Sequence, residues 1–440
     1  MANSYLDRTP SSAGNSKTFT ISCWIKRSKL GYNYDMFYTA GLHQSTLMSQ
    51  LYFTNDDKLY FGTWLADGNS DHYIHTNRVF RDVNCWYHLC VAVDTTQATA
   101  SNRVKIYVNG VQETDLNITN NYPAQNHDYA FNSTLIHNIG RRGDLASSYH
   151  EGYLSHVVMV DGTALAPTSF GSTDTTTGEW KIITSPSVTW GTNGFLILKD
   201  SASGTDQSTN SNNFTANGNL QNSEDCPSNV FCTMNPLDNY TQGSTFTNGN
   251  TKLEWNTNNR NNFSTLAMNK GKFYWEMKYV ITSGGTNAMI GVSKFDTRQG
   301  DNYPGHDSTA WSYYAADGKK YHAGSDAAYG NTWAVDDIIG IAFNADTRTI
   351  WFSKNGTWQN SATISEIAAG TTTNSAYTGM GTAGEFFIPC MSAYDGNKAA
   401  FNFGNGYFST TAISSEGTNA SGIGKFEYDV PTGYTALSTK

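Results

Sequence analysis

The sequence predicts an all-β protein of two β-sandwich domains with negligible helix. Three observations carry that expectation. Thr, Tyr, Val and Ile are abundant and are cut by 40 Gly and many Asn, as in strands joined by tight turns. Apolar residues recur with a period of two in one stretch after another, which gives a strand one buried face. The same local grammar also occurs twice. Trp86, the strand Leu89 to Asp94 and a hairpin ending at Asn109-Gly110 are matched by Trp333, Ile338 to Phe343 and a hairpin ending at Asn355-Gly356. The 440 residues suffice for two or three domains at roughly 150 residues each. An aromatic content of 13% excludes bulk disorder. Ala, Leu, Glu and Lys do not dominate, which excludes a long helical bundle.

The elements follow in order. Thr18 to Lys26 places Phe19, Ile21, Cys23 and Ile25 on one face. Val104, Ile106 and Val108 form the next clear strand, closed by Asn109-Gly110, a pair that accepts positive φ cheaply. Tyr153 to Val160 is a strand closed by Asp161-Gly162. Residues 171–245 read as a connector that partly completes the first sandwich, because Ser201 to Asn222 is too polar for a core of its own. The second sandwich spans 246–410. Its strands are Phe273 to Tyr279, Ile338 to Phe343, Thr349 to Ser353, Phe386 to Ile388 and Ala399 to Phe403. Ile338 to Phe343 is apolar on both faces, as in a strand covered on two sides. Ile364 to Ala369 is the one helical turn. Residues 411–440 form a Gly- and Ser-rich tail, with Phe426, Tyr428 and Val430 as a last strand.

Charge and motifs then narrow the function. With 28 Lys+Arg against 37 Asp+Glu the net charge is −9, so no nucleic-acid partner is expected. The first ten residues lack an apolar leader core, and no apolar run approaches the roughly 18 residues of a membrane span. The six cysteines contain no C-x-x-C pair and read as mostly reduced, with a Cys226–Cys232 disulfide left open.

Residues 1–170 resemble laminin-G-like, concanavalin-A-like jelly-roll domains. The resemblance rests on the strand from Phe19, Trp86-Tyr87-His88-Leu89, the Ile106 to Gly110 hairpin, and Gly152-Tyr153-Leu154 leading into Val157-Val158-Met159. The last resembles the family's G-x-I-D-x-V closing strand, with Ser155 and His156 where acids are usual. The second region resembles a SPRY domain. It matches at Gly271 to Glu276, Ile290-Gly291-Val292, Asp337 to Gly340 and Ile350 to Gly356. The whole chain, including Met234 to Leu237 and Phe401 to Gly406, is similar to structural proteins of tailed bacteriophages, of which marine phages are the commonest carriers. That resemblance implies a non-enzymatic virion surface protein made in the host cytoplasm. It would be a tail or tail-fibre component with lectin-like recognition of host-surface glycan. The alternative is a capsid decoration, head-fibre or tail adaptor protein that binds only other virion proteins. A homo-oligomer is expected in either setting.

Glycosidases of concanavalin-A-like fold carry E-x-D-x-x-E on one strand. Only Glu113-Thr114-Asp115 approaches this, and Ile118 stands where the second Glu belongs, so no catalytic residues are expected. Sugar sites need aromatic faces beside polar groups. The segment Asp301 to His322, read as a loop, supplies Tyr303, His306, Trp311, Tyr313, Tyr314 and Tyr321. Trp64 with Tyr73 is a second candidate of the same kind. Against these readings, Trp311 and Tyr313 could pack beneath the loop as a lid, while Trp24, Trp86, Trp275 and Trp333 read as core. Laminin-G-like domains bind calcium through Asp side chains and carbonyls. Asp56, Asp57, Asp67, Asp71 and Asp94 are the acids available for calcium here, and otherwise read as solvated loop acids. His72 and His75 face opposite ways on a strand, so no metal shared between them is expected.

Overall fold

The alternation at residues 18–26 becomes the strand Thr18–Arg27, which sends Phe19, Ile21, Cys23 and Ile25 into the core and pairs in register with Trp86–Asp94. The computed structural model describes all residues except 1–2, 44, 68–69, 120–121, 144–147, 282 and 284. The chain divides into two units, 1–222 and 223–440.

In the first unit an eight-stranded sheet runs in the order Leu116–Thr119, Ser70–Val79, Lys58–Trp64, Met48–Phe53, Asp35–Ala40, His137–Ile139, Tyr5–Arg8, Thr215–Asn217. A six-stranded sheet runs Phe195–Ile197, Gly152–Asp161, Thr18–Arg27, Trp86–Asp94, Val104–Val108, Val111–Gln112. One apolar core lies between them, built by Leu51, Phe53, Phe61, Ile74, Val91, Ile106, Met159 and their neighbours. The polar stretch after residue 170 therefore contributes an edge strand to each sheet. Its residues Val188 and Trp190, together with Leu165 just before it, also cover the outer face of the smaller sheet against Cys90, Val158 and Leu196. Ser155 and His156, where the sequence departs from its family pattern, sit at a β-bulge with His156 at φ 47°.

The second unit repeats the architecture. One sheet runs Ser244–Thr247, Lys252–Trp255, Lys398–Asn402, Lys272–Ile281, Ile338–Asn344, Thr349–Lys354, Thr357–Trp358. The other runs Asn262–Phe263, Phe387–Ala393, Ala288–Lys294, Ala310–Tyr314, Lys319–His322, Ser325–Ala328. Ile339, Ile341 and Phe343 face the core between the sheets. Ala342 faces outward and is covered, with Tyr274 and Trp351, by Phe426, Val430 and Tyr434. This explains the two apolar faces read at 338–343. Both Asn-Gly hairpins form, with φ of 48° and 81° at Asn109-Gly110 and 48° and 78° at Asn355-Gly356. The helix Ile364–Ala369 opens with a Thr363–Glu366 capping box and closes on Gly370 at φ 77°.

Two expectations are corrected here. Residues 426–430 form no strand. The segment is held by side-chain burial, and the ladder contact comes later, where Thr435–Ala436 pairs parallel with Lys272–Ile281. Residues 301–322 are not one loop but contain the strands Ala310–Tyr314 and Lys319–His322. All six cysteines are free thiols, Cys226 and Cys232 included.

Candidate functional site

The larger sheet of the first unit carries a second, outward-facing aromatic set. On Lys58–Trp64, Leu59 and Phe61 point into the core, so Tyr60 and Trp64 point out. By the same alternation Tyr52 leaves Met48–Phe53 outward, and Tyr73 and His75 leave Ser70–Val79 outward on either side of the core residue Ile74. The ladder pairs Tyr52 with Tyr60 and Tyr60 with His75, which stacks side chains from three strands into one stripe. Ring centroids lie 4.3 Å apart for Tyr52–Tyr60, 5.3 Å for Tyr60–Tyr73 and 5.0 Å for Tyr73–His75. Tyr34 extends the stripe at 5.6 Å from Tyr52. At the other end the Trp64 indole N–H donates to the Tyr60 hydroxyl at 3.1 Å, and the His43 ring lies 5.1 Å from Trp64. Gly62 makes the approach feasible, because a Cβ there would stand 2.6 Å from the Tyr73 Cβ.

Tyr52 and Tyr60 are 5% and 3% exposed and form the floor, whereas Tyr34, Trp64, Tyr73 and His75 are half-buried and present ring surface to solvent. Burial raises the Tyr52 and Tyr60 phenols and lowers His75. Burial thus favours the neutral forms of Tyr52, Tyr60 and His75. The stripe offers flat π faces with hydroxyl and imidazole edges, a chemistry suited to stacking on the C–H face of a sugar and bonding its hydroxyls. Trp64 and Tyr73, the pair singled out in the sequence, are thus brought together here. Tyr60, which touches both, and Tyr52 on the next strand are not visible as site residues, because core and surface tyrosines alternate in identical local sequence.

The candidates of the second unit separate. Trp311 and Tyr313 pair across the ladder with Val292 and Ile290, which turns both rings into the core at 5% and 0% exposure. Trp311 stacks on His322 with centroids 4.5 Å apart. The Tyr313 hydroxyl donates to the Asn331 carbonyl. Tyr314 and Tyr321 stay half-buried with rings 5.5 Å apart, their hydroxyls bonded to Asn287 and Asp317. Tyr303 lies edge-on to the exposed His306 at 5.3 Å. Of the six expected residues, the second unit thus keeps two ring pairs toward solvent and withdraws Trp311 and Tyr313 into the core.

The calcium candidates do not assemble either. Asp57 is 4% exposed and meets the Arg27 guanidinium at 3.0 Å and Arg81 at 3.1 Å, so its charge is already answered. Asp56 pairs with Lys58 at 2.9 Å. Asp94 accepts from Thr96 and Gln97 in its own turn. Asp67 is exposed in the turn after Lys58–Trp64. Among the described residues, the group that brings three metal-type ligands together is Asp71, His72 and His127. His127 comes from a distant segment, which hides the group in the sequence. A polar groove of about 580 Å³ opens beside residues 13–17, Asp128 and Asp161, but Asp161 is held there by the backbone N–H groups of Asn15 and Asn193. Of the partial glycosidase motif, Glu113 is paired with Arg78 at 2.7 Å and Asp115 accepts from Asn77.

Comparison with known proteins accounts for both regions. Residues 2–169 match the concanavalin A-like lectin/glucanases superfamily, and residues 272–406 match the SPRY domain family. Ran-binding protein 9 of Xenopus tropicalis and of Xenopus laevis is 33% identical over 90 residues, 20% of this chain and 16% of each relative. The chain therefore spans less than a fifth of the length of those curated relatives. Among solved structures, the SPRY domain of human HERC1 is 20% identical, with a TM-score of 0.31 over 38% of this chain and 96% of that one. The TRIM65 PSpry domain is 11% identical, with a TM-score of 0.30 over 39% of this chain and 91% of that one.

Proposed function

From a chain that carries a concanavalin A-like domain followed by a SPRY domain, we propose a non-enzymatic surface-recognition protein whose first unit binds glycan through the Trp64–Tyr60–Tyr52–Tyr73 stripe. The observation that carries this reading is the stripe itself: aromatic side chains of three strands converge on the face turned away from the core, with half-buried rings at its margins. A binder is favoured over a hydrolase because Glu113 and Asp115, the acids of the partial glycosidase motif, are each engaged by a neighbour. The setting we propose is the virion of a tailed bacteriophage, at the tail or tail fibre, with host-surface glycan as ligand. That setting rests on the whole-chain resemblance described above.

The test is a glycan array followed by titration of the strongest ligand. Tyr73→Ala and Trp64→Ala should each weaken binding by about threefold to tenfold, in line with roughly 0.5–1.5 kcal/mol for a lost stacking contact. Absence of binding to any glycan, and to host cells, at high protein concentration would sink the proposal.

A second reading, a decoration or adaptor protein that binds other virion proteins, is favoured by one observation. In the second unit Leu237, Tyr240, Phe295 and Phe386 are exposed by 37% to 59%. Phe295 and Phe386 are joined by a backbone hydrogen bond, and Arg298 bridges Phe295 and Asp238. An apolar patch with an embedded arginine suits a protein partner. Locating the chain in an intact particle by cryo-electron microscopy separates the two readings.

A further inference from the structure

We propose that Asp71, His72 and His127 form a binding site for a zinc-type transition-metal ion on the first unit. The side-chain donor atoms of the three residues lie within 4.8 Å of one another. One carboxylate oxygen, Asp71 Oδ2, stands 2.9 Å from His72 Nδ1 and 3.4 Å from His127 Nδ1. Tetrahedral zinc with ligands at about 2.0–2.2 Å sets its donor atoms roughly 3.3–3.6 Å apart; the two Asp71 distances lie within a few tenths of an ångström of that spacing, and the spread of the whole group, up to 4.8 Å, closes by side-chain rotation on binding. The strand Ser70–Val79 creates the geometry. Its alternation turns His72 inward, 1% exposed, while Asp71 remains 35% exposed as the route to solvent. His127 arrives from a segment fixed by its own backbone, where its N–H donates to the Ala124 carbonyl and its carbonyl accepts from Thr95 Oγ1.

One further observation favours a metal over a simple His–Asp hydrogen bond. The remaining nitrogen of His72 lies 2.8 Å from the Tyr129 hydroxyl, the outer-sphere support that orients ligating imidazoles. His127 has no such support, since its Nε2 is buried without a hydrogen-bond partner, and it turns its Nδ1 edge toward Asp71. Two imidazoles and one carboxylate with an open fourth position select zinc and its neighbours. Calcium, which takes six to eight oxygens, is not suited to this donor set. His75, on the same strand, faces the aromatic stripe and takes no part.

The experiment is isothermal titration of the full chain, stripped with EDTA and desalted, with zinc chloride and in parallel with calcium chloride. One equivalent of zinc per chain is expected, with no calcium uptake at this site. Uptake should be lost in the Asp71→Asn, His127→Gln double variant and retained in His306→Gln. In Tyr129→Phe it should weaken by roughly tenfold to a hundredfold. Circular dichroism and the urea midpoint of the metal-free variants control for folding. If the double variant does not fold, Asp71→Asn alone decides, because Asp71 is partly exposed. Failure of the wild-type chain to bind zinc, unchanged uptake by a folded ligand variant, or displacement of zinc by equimolar calcium would overturn the assignment.

Discussion

Arg27 has no exposed side-chain surface, yet it organises one end of the first sandwich. Its guanidinium meets Asp35 at 3.4 Å, Asp57 at 3.0 Å and the Phe80 carbonyl at 2.7 Å, and lies over the Phe53 ring. Removing one partner of such a set leaves buried charge unanswered. Arg27→Ala should therefore cost about 3–5 kcal/mol in urea unfolding. Asp57 shows why a site residue can be misread: Asn55-Asp56-Asp57 has the look of a solvated turn, and the arginine that claims Asp57 lies 30 residues away. Glu276 gives the second residue-scale prediction. Its carboxylate accepts from the Glu427 and Tyr428 N–H groups, the Tyr274 hydroxyl and the Asn402 amide, yet burial raises its pKa to about 7. The folded form then holds a proton that the unfolded chain has already released above its ordinary value of 4.5. Stability of the second unit should consequently fall as pH rises from about 4.5 to about 7, and level off above. Glu276→Gln should flatten that slope, as read from urea midpoints across the same range.

At the scale of elements, legibility followed the physics of period and turn. The strands 18–27, 104–108 and 272–281 announce themselves by an alternating apolar face, 338–344 by an unbroken apolar run, and the helix 364–369 by its cap. The hairpins announce themselves because Asn-Gly accepts two consecutive positive φ values at low cost. Gly356 tests the second point. It sits at φ 78°, and a Cβ there would lie 2.6 Å from the Tyr428 ring. Gly356→Ala should destabilise the second unit by at least about 1–2 kcal/mol, the cost of left-handed backbone for an L-residue, measured by thermal or urea unfolding. Residues 301–322 were not legible, because a stretch dense in Tyr and Trp reads alike whether its rings stack on a ligand or on Val292 and Ile290. The aromatic stripe was half legible for the same reason. Trp64 and Tyr73 stand out among polar neighbours, whereas Tyr52 and Tyr60 gain their place only through strand pairing.

At the scale of the molecule, two units each bury their own core, and each recruits polar-looking chain to finish it. In the second unit the closing segment runs past residue 410. Phe426, Val430, Tyr434 and Ala436 cover Tyr274 and Trp351, Leu437 enters the main core, and Phe231 bridges to Ser438. Composition disguises this segment, since Gly and Ser dominate between its few anchors. A chain ended after residue 410 should lose the cooperative unfolding of the second unit and bind a hydrophobic dye, because several buried large side chains at about 1.5–3 kcal/mol each rival the whole stability of a domain. The first unit should keep its own transition, as followed by calorimetry.

The parallel pairing of Thr435–Ala436 with Lys272–Ile281 joins residues more than 150 positions apart in sequence. At a translation rate of about 5–20 residues per second, the ribosome needs on the order of ten to thirty seconds to travel between the partners. Throughout that interval the nascent chain carries Tyr274, and later Trp351, without their cover. Maturation of the second unit is thereby deferred until residues 426–436 have been made, and a product that stops short of them is marked by its uncovered aromatic face as a substrate for chaperones and proteases.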